Sequence, residues 1–101
     1  MASLSPAQVK KSMKSVPLWK KRARTICRKF EFEGFLGAIA FVNRVARAAQ
    51  KADHHPDIDI RWNKVTLALT THSEGGLTAK DFSMARQCGA IFSHSPGKKK
   101  V

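Results

Sequence analysis

The chain has 101 residues, 43% of them hydrophobic, and a formal net charge of +12. This length supplies one domain with a thin core, and this apolar content excludes a disordered tail. No apolar run approaches the roughly 20 residues that span a bilayer, so we expect no transmembrane helix and no membrane partner.

The positive charge is concentrated in the amino-terminal third of the chain. Residues 1–30 hold nine Lys or Arg and no acid, whereas the rest of the chain holds ten basic and seven acidic residues. The positive electrostatic field of such a segment attracts polyanions, and it indicates little about the fold. An acid-free basic start is also typical of an organellar transit peptide, although the early start of regular structure argues against one.

The expected compartment follows from the cysteines and the basic tail. Cys27 and Cys88 show no CxxC or other metal-like spacing, and we identify no signal peptide. We therefore expect reduced thiols in an intracellular, cytoplasmic protein. The lysines at 98–100 leave a nuclear location open, and organellar targeting stays open as well.

The first half of the chain predicts a helix, two strands and a second helix. Residues 5–8 (SPAQ) form a capping box with proline in the first turn, so a helix begins there and runs to about residue 14. Residues 19–22 and 25–32 are rich in β formers and predict two paired strands. Residues 33–51 predict a long helix, and its apolar side is expected to consist of Phe35, Ile39, Val42, Val45 or Ala46, and Ala49.

The second half of the chain predicts a strand hairpin and a third helix. Two runs of period two meet at Asn63 and predict a hairpin with one buried face. The apolar residues of the two runs are Ile58, Ile60, Trp62, Val65, Leu67 and Leu69. Thr78 and Asp81 form a second capping box, so a helix begins there and ends before the Ser-Pro-Gly at 95–97.

These elements predict an α+β fold in two layers. We expect a four-stranded, mostly antiparallel sheet with three helices packed on one face. Residues 1–101 form a single domain in this interpretation, with flexible segments at 1–4 and 95–101. The open edges of such a sheet must be covered or paired, and the helices are more apolar than a thin sheet requires, so we also expect self-association.

Three of the four histidines fall at the two ends of the predicted hairpin. His54 and His55 precede its first strand, and His72 follows its second strand. Because the start of one strand in an antiparallel pair lies beside the end of the other, we expect these three imidazoles to approach one another.

Clustered imidazoles favour either of two chemistries. Three histidines can bind a catalytic zinc ion, and a histidine can donate or accept a proton near neutral pH. Adjacent histidines rarely both bind one ion, and the chain has no HxH or HxxxH pair, so zinc is the less favoured of the two. A structural role stays open too, because histidines just beyond a helix end interact favourably with its dipole.

A set of motifs carries a resemblance to a known family. These motifs are Trp19, RKFEF at 28–32, the helix at 35–46, DHHP at 53–56, WNKV at 62–65, LTTH at 69–72 and GLTAKD at 76–81. Together they resemble the pterin-4a-carbinolamine dehydratase family, from Trp19 to the last helix. The resemblance implies an enzyme without metal or organic cofactor that converts a 4a-hydroxytetrahydropterin to quinonoid dihydropterin and water, in tetrahydrobiopterin recycling.

The resemblance also implies a role for individual residues. His54, His55 and His72 are the implied catalytic residues, and we predict that His54 and His72 transfer the protons while His55 orients the hydroxyl-bearing face. The substrate contacts that it implies are Trp19, Asp53, Thr71 and Asp81. Some of these have ordinary structural interpretations as well: Trp19 as a core aromatic, Thr71 as a strand former and Asp81 as a helix cap.

One departure from the family concerns Gln50, because many members carry a carboxylate there. Any influence of that carboxylate on a neighbouring histidine is therefore missing, and we expect weaker or unchanged activity rather than a different reaction.

The implied partners leave two non-enzymatic alternatives. The resemblance implies a homodimer joined through sheet edges, often a tetramer, and in some members a role as dimerisation cofactor of a homeodomain transcription factor. A basic module that binds polyanions is the second alternative. No RNP-like, zinc-finger or basic-zipper pattern is present, so nucleic acid is not the expected partner.

Overall fold

The computed structural model describes residues 3–99, which contain three α-helices and four β-strands. The elements are α1 Pro6–Met13, β1 Lys20–Arg22, β2 Thr25–Glu31, α2 Phe35–Ala52, β3 Asp57–Arg61, β4 Lys64–Leu69 and α3 Ala79–Ser93. A 3-10 helix at His72–Glu74, which the sequence did not predict, connects β4 to α3. No helix within residues 3–99 is both long and apolar enough to cross a bilayer.

The four strands form one antiparallel sheet in the order β1-β2-β4-β3. Ile26 pairs with Leu69 and Phe30 with Val65, so the buried residues of β2 and β4 lie on the same face of the sheet. Helices α2 and α3 pack on each other and on β4. The predicted α+β fold, with its four-stranded antiparallel sheet and three helices, is confirmed.

Aromatic side chains fill the centre of the core between the sheet and the helices. The ring centroid of Phe30 lies 4.8 Å from that of Phe41 and 5.1 Å from that of Phe92, and Phe32 lies 5.2 Å from Phe41. Burying each such side chain contributes about 1.5–3 kcal/mol, which makes this cluster the main source of stability in a domain of this size.

Both predicted capping boxes are present. Ser5 Oγ accepts from the Gln8 amide, and Gln8 Oε1 accepts from the Ser5 amide. Thr78 Oγ1 accepts from the Lys80 amide at 3.2 Å, and the Asp81 carboxylate accepts from the Thr78 amide at 2.9 Å. These bonds satisfy amides that a helix start otherwise leaves unpaired, so the first turn of α3 is well fixed.

The predicted inward face of α2 is wrong in part. The helix buries Ala38, Phe41, Val45 and Ala49, whereas Phe35 is exposed. The sequence favoured Phe35, Ile39 and Val42 because α2 is apolar on more than one side, and periodicity alone does not choose between overlapping apolar stripes.

The prediction of one buried face for the whole hairpin is correct for β4 and wrong for β3. Ile58 and Ile60 stand opposite the buried Leu67 and Val65, yet every residue of β3 is exposed, with Ile60 at 37%. β3 is an edge strand, and its outer side has no covering element among the described residues. The turn is also one residue longer than predicted, since it contains Trp62 with a φ of 53°.

The described ends of the chain lie against neighbouring elements. The Leu4 amide donates to the Leu77 carbonyl, the Glu33 amide to the Gly97 carbonyl and the Lys99 amide to the Glu31 carbonyl. A hydrogen bond from Lys99 Nζ at 3.0 Å lowers the pKa of Glu31. The flexibility expected for 1–4 and 95–101 stays a prediction, and residues 1, 2, 100 and 101 lie outside the described residues.

Candidate active site

A buried carboxylate, that of Asp81 in the first turn of α3, connects three segments of the chain. Its exposure is 0%. Oδ1 lies 2.6 Å from His54 Nε2, while Oδ2 accepts from Thr71 Oγ1 at 2.8 Å and from the Thr78 amide at 2.9 Å. The carboxylate therefore holds the segment before β3, the segment after β4 and the start of α3 together.

His54 takes its position from the way in which α2 ends. Asp53 adopts a left-handed conformation, with φ 52° and ψ 43°, which aspartate tolerates better than most residues. The His54 amide then donates to the Ala49 carbonyl at 3.1 Å. This tight turn directs the His54 ring to Asp81, where its side chain is 11% exposed.

The bond to Asp81 fixes which nitrogen of His54 is available. A carboxylate oxygen can only accept, so His54 donates through Nε2–H. Nδ1 is thereby left as the atom that can exchange a proton with a ligand, and the carboxylate also stabilises the positively charged ring. The arrangement is suited to proton transfer at Nδ1.

His55 lies on the solvent side of the same turn and contacts Gln50. Its Nε2 lies 3.0 Å from Gln50 Oε1, one helical turn back in α2. An amide oxygen accepts and carries no charge, so Gln50 orients the ring through a neutral hydrogen bond. The position that departs from the resembled family is thus in direct contact with one of the three predicted catalytic histidines.

His72 opens the 3-10 helix that follows β4 and is exposed. Two hydrogen bonds between Thr71 and Gly76, of 3.1 and 3.3 Å, close the loop that carries it. Gly75 adopts a φ of 70° inside this loop, a conformation that glycine allows without strain. Since Thr71 binds Asp81 and His72 is the next residue, the loop is anchored to the same carboxylate as His54.

A cavity of about 160 Å³ opens beside His54. It is lined by Ala52, His54, Lys80, Ser83, Met84 and Gln87. This volume is below the roughly 300–1,000 Å³ of typical ligand pockets, and His55 and His72 are outside its lining. The structure therefore brings His54, Thr71 and Asp81 together by direct bonds, while His55 and His72 are exposed and directly follow His54 and Thr71 in the sequence.

The other predicted substrate contacts lie in different surroundings. Asp53 is exposed at the end of α2. Trp19 is only 4% exposed and packs edge-on against Phe30, with ring centroids 6.0 Å apart. Within residues 3–99, no group of three or more His, Cys, Asp or Glu side chains is placed to hold a metal ion.

Sequence reasoning missed the bond between His54 and Asp81 and the pair formed by Thr71 and Thr78. The Thr71 and Thr78 hydroxyl oxygens lie 2.9 Å apart, and both threonines are buried. The capping box gave a signal for Asp81, but one cap uses only part of a carboxylate's acceptor capacity. The Asp81 carboxylate can accept more hydrogen bonds than the cap uses, and this was the signal for a further donor.

Comparisons with known proteins identify the family. The sequence profile described as "Pterin 4 alpha carbinolamine dehydratase" matches residues 2–91. A protein from Acidobacterium capsulatum that carries the name pterin-4-alpha-carbinolamine dehydratase is 50% identical over 92 residues, covering 91% of this chain and 100% of its own. A protein of the same name from Mycolicibacterium smegmatis is 47% identical, covering 92% of this chain and 99% of its own.

Two solved structures are similar as well. A transcriptional coactivator/pterin dehydratase from Brucella melitensis superposes with a TM-score of 0.84 at 35% identity, covering 88% of this chain and 97% of that chain. A pterin dehydratase-like protein, described as a RuBisCO assembly factor in the alpha-carboxysome, has a TM-score of 0.60 at 18% identity, covering 72% of this chain and 84% of that chain. The second likeness shows the fold alone.

The fold and the comparisons together identify a small α+β enzyme of the hydro-lyase class. The chain belongs to the pterin 4 alpha carbinolamine dehydratase family.

Proposed function

We propose that the protein removes water from a 4a-hydroxytetrahydropterin and that its histidines transfer the protons. The C4a–O bond breaks, the hydroxyl leaves as water after gaining a proton, and a ring nitrogen loses a proton as the double bond to C4a forms. The product is a quinonoid dihydropterin. The reaction thus requires one proton donor and one proton acceptor, which two imidazoles can supply.

His54 is the proposed proton acceptor. Its Nε2–H is held by Asp81 at 2.6 Å, so Nδ1 is the atom that faces a ligand. The ring gains a positive charge when Nδ1 takes the ring-nitrogen proton, and the buried carboxylate stabilises that charge. This contact is the observation that supports the proposal most strongly.

His72 is the proposed proton donor to the leaving hydroxyl. Its ring is exposed, so it can recover a proton from water between turnovers. His55, oriented by Gln50, is proposed to position the hydroxyl-bearing face of the substrate. The cavity beside His54 is smaller than a typical ligand pocket, so we place part of the pterin across the open side where His55 and His72 lie.

The remaining predicted contacts divide into two groups. Asp81 and Thr71 are buried and bonded to each other, so we propose that they act on the reaction by positioning His54 instead of touching the pterin. Asp53 is exposed next to His54 and stays a proposed pterin contact. For Trp19 the pterin contact also stays a prediction, and its packing against Phe30 suits the alternative role of a core aromatic.

The proposed reaction is tested with the chemically prepared 4a-carbinolamine, whose dehydration is followed by absorbance against the uncatalysed rate. Faster dehydration that persists with a metal chelator is the expected result. A rate equal to the uncatalysed background would contradict the proposed reaction, and loss of the acceleration with chelator would contradict the metal-independent mechanism.

Gln50→Glu tests whether the family's carboxylate matters. A carboxylate 3 Å from His55 Nε2 favours the protonated imidazole. Because His55 is proposed to orient the substrate, we expect the pH profile of KM to move to higher pH and the maximal rate to change by less than about tenfold. The profile is measured from pH 5 to 9 beside Arg47→Glu, an exposed control on α2. Identical profiles for Gln50→Glu and the parent protein would show that the carboxylate is unimportant.

We further propose that the protein self-associates through the edge of β3. Exposed backbone groups of an edge strand can pair with a second copy. Ile58 and Ile60 flank that edge, and Trp62, at 66% exposed, extends it. An exposed apolar strip beside an unpaired edge favours a second copy of the chain as its partner.

Ile60→Lys is expected to weaken this association, because it places a charge at the centre of the proposed interface. The mass in solution is measured by light scattering after size exclusion, beside Ala90→Lys, an exposed control on α3. We expect a lower mass for Ile60→Lys alone. The same mass for the parent protein and both variants would contradict an interface at β3.

A second candidate function is suggested by the Brucella structure, which is described as a transcriptional coactivator as well as a pterin dehydratase. Such a role would use helix surfaces of this chain and not its histidines. Alanine variants of His54 and His72 that lose dehydration but keep partner binding would separate the two functions.

A further inference from the structure

Arg28 places a charge in an otherwise apolar row of the sheet. It lies on β2 between Ile26 and Phe30, which are 0% and 1% exposed and face the helices. Its guanidinium carbon lies 4.4 Å from the ring centroid of Phe30 and 5.4 Å from that of Phe92. The contacts with these two rings hold the guanidinium in place.

No carboxylate among the described residues neutralises this charge. The ion pairs found within residues 3–99 involve other cations, and burial lowers the pKa of Arg28. The neighbouring Cys88 thiol has its pKa raised to about 12 by burial, so it stays neutral. A part-buried guanidinium without a counter-charge is free to bind an anion that the chain itself does not supply.

A cavity of about 210 Å³ opens at this guanidinium, between the segment 15–19 and α3. One side of it is basic, with Arg28 and Arg86, and Arg86 Nη1 donates to Ser15 Oγ at 3.1 Å. The other side is apolar, with Pro17 and Trp19.

Gly89 on α3 faces the Arg28 guanidinium and places no side chain against it. A Cβ at Gly89 would lie 3.5 Å from Arg28 Nη1, so the missing side chain leaves room at the charged group.

This cavity is separate from the cavity beside His54. Its α3 residues are Ala85, Arg86 and Gly89, whereas Lys80, Ser83, Met84 and Gln87 line the cavity beside His54. The two sets occupy opposite flanks of α3, and no residue lines both cavities. Binding at Arg28 can therefore be measured separately from the proposed dehydration.

We propose that this cavity binds a small carboxylate that carries an apolar body. Arg28 and Arg86 would hold the carboxylate, since guanidinium groups match its geometry. Pro17 and Trp19 would contact the apolar body. A cavity of about 150 Å³ admits benzene, so this one has room for a molecule of the size of benzoate.

The probe ligand is benzoate, and Trp19 provides the signal. The chain has two tryptophans, so Trp62→Phe leaves Trp19 as the sole emitter. In this background we expect a saturable change of Trp19 fluorescence on titration with benzoate at constant ionic strength, and a weaker response to inorganic phosphate. A benzoate response that never saturates would overturn the proposal, and equally tight phosphate binding would overturn its apolar part.

Arg28→Met and Arg86→Gln assign the binding to the two guanidinium groups. We expect the benzoate Kd to rise about tenfold or more for Arg28→Met and by a smaller factor for Arg86→Gln. Arg44→Met, on the exposed side of α2, removes the same charge and should change the Kd by less than about twofold.

Arg86 is exposed, so Arg86→Gln keeps the test valid even if Arg28→Met fails to fold. Equal Kd values for Arg86→Gln, Arg44→Met and the parent background would overturn the assignment.

Discussion

Replacing His54 or His72 with alanine is expected to lower the rate of carbinolamine dehydration by about 10²–10⁴-fold each, the range typical of a positioned acid or base. The His54 change removes the nitrogen that Asp81 orients, and the His72 change removes the proposed donor. His94→Ala is the matched control, because His94 is exposed at the far end of α3, where Nδ1 lies 2.9 Å from the Ala90 carbonyl oxygen. All rates are measured above the uncatalysed background.

The changes in KM and kcat among the three histidine variants also distinguish proton transfer from substrate orientation. His55→Ala should raise KM more than it lowers kcat if His55 orients the substrate, whereas the other two variants should lower kcat. A His54→Ala variant that is folded and fully active would contradict the proposed acceptor. Equal losses in all three variants and in His94→Ala would indicate a general effect on folding.

The sequence predicted the elements well because local chemistry determines them. The Ser5 and Thr78 capping boxes placed two helix starts, and strict alternation in β4 placed its buried face. The face of α2 and the exposure of β3 were not predictable in the same way. Both depend on how far the other elements extend over a shared surface, which no single segment encodes.

The sequence indicated candidate residues for the site, and it did not indicate the bonds between them. Hairpin geometry indicated that His54, His55 and His72 belong to one end of the sheet. The bond between His54 and Asp81 joins residues 27 positions apart, and it depends on the left-handed turn at Asp53 and the tilt of α3. The tilt of α3 relative to the other elements follows from packing of the whole core. Sequence spacing therefore indicated candidate residues and not the contacts between them.

Asp81→Ala is expected to lower the free energy of unfolding by about 3–5 kcal/mol. It removes the acceptor for three donors, on His54, Thr71 and Thr78, and each buried donor left unpaired costs about 1–3 kcal/mol. For a domain whose total stability is roughly 5–15 kcal/mol, this loss is severe. Urea unfolding followed by circular dichroism measures it, and a loss below about 1 kcal/mol would contradict the contacts described for this carboxylate.

Asp81→Asn separates the stability effect from the effect on catalysis. The amide oxygen can still accept from Thr71 and Thr78, so we expect a loss of only about 1–2 kcal/mol. The amide N–H₂ then faces His54, whose Nε2 must accept in place of donating, and the proton moves to Nδ1. His54 in that tautomer cannot take a proton at Nδ1, so the dehydration rate should fall by about 10²–10⁴-fold in a folded protein.

Thr71→Val is the matched control for Asp81→Asn, since it removes a donor to the same carboxylate and leaves the bond to His54 intact. It should cost about 1 kcal/mol of stability and lower the rate much less than Asp81→Asn does, because the carboxylate still sets the tautomer of His54. An Asp81→Asn variant with the rate of the parent protein would contradict the positioning role. If Thr71→Val lost as much activity as Asp81→Asn, the loss in Asp81→Asn could not be assigned to the tautomer of His54, and the assignment of Nδ1 as the proton acceptor would lose its basis.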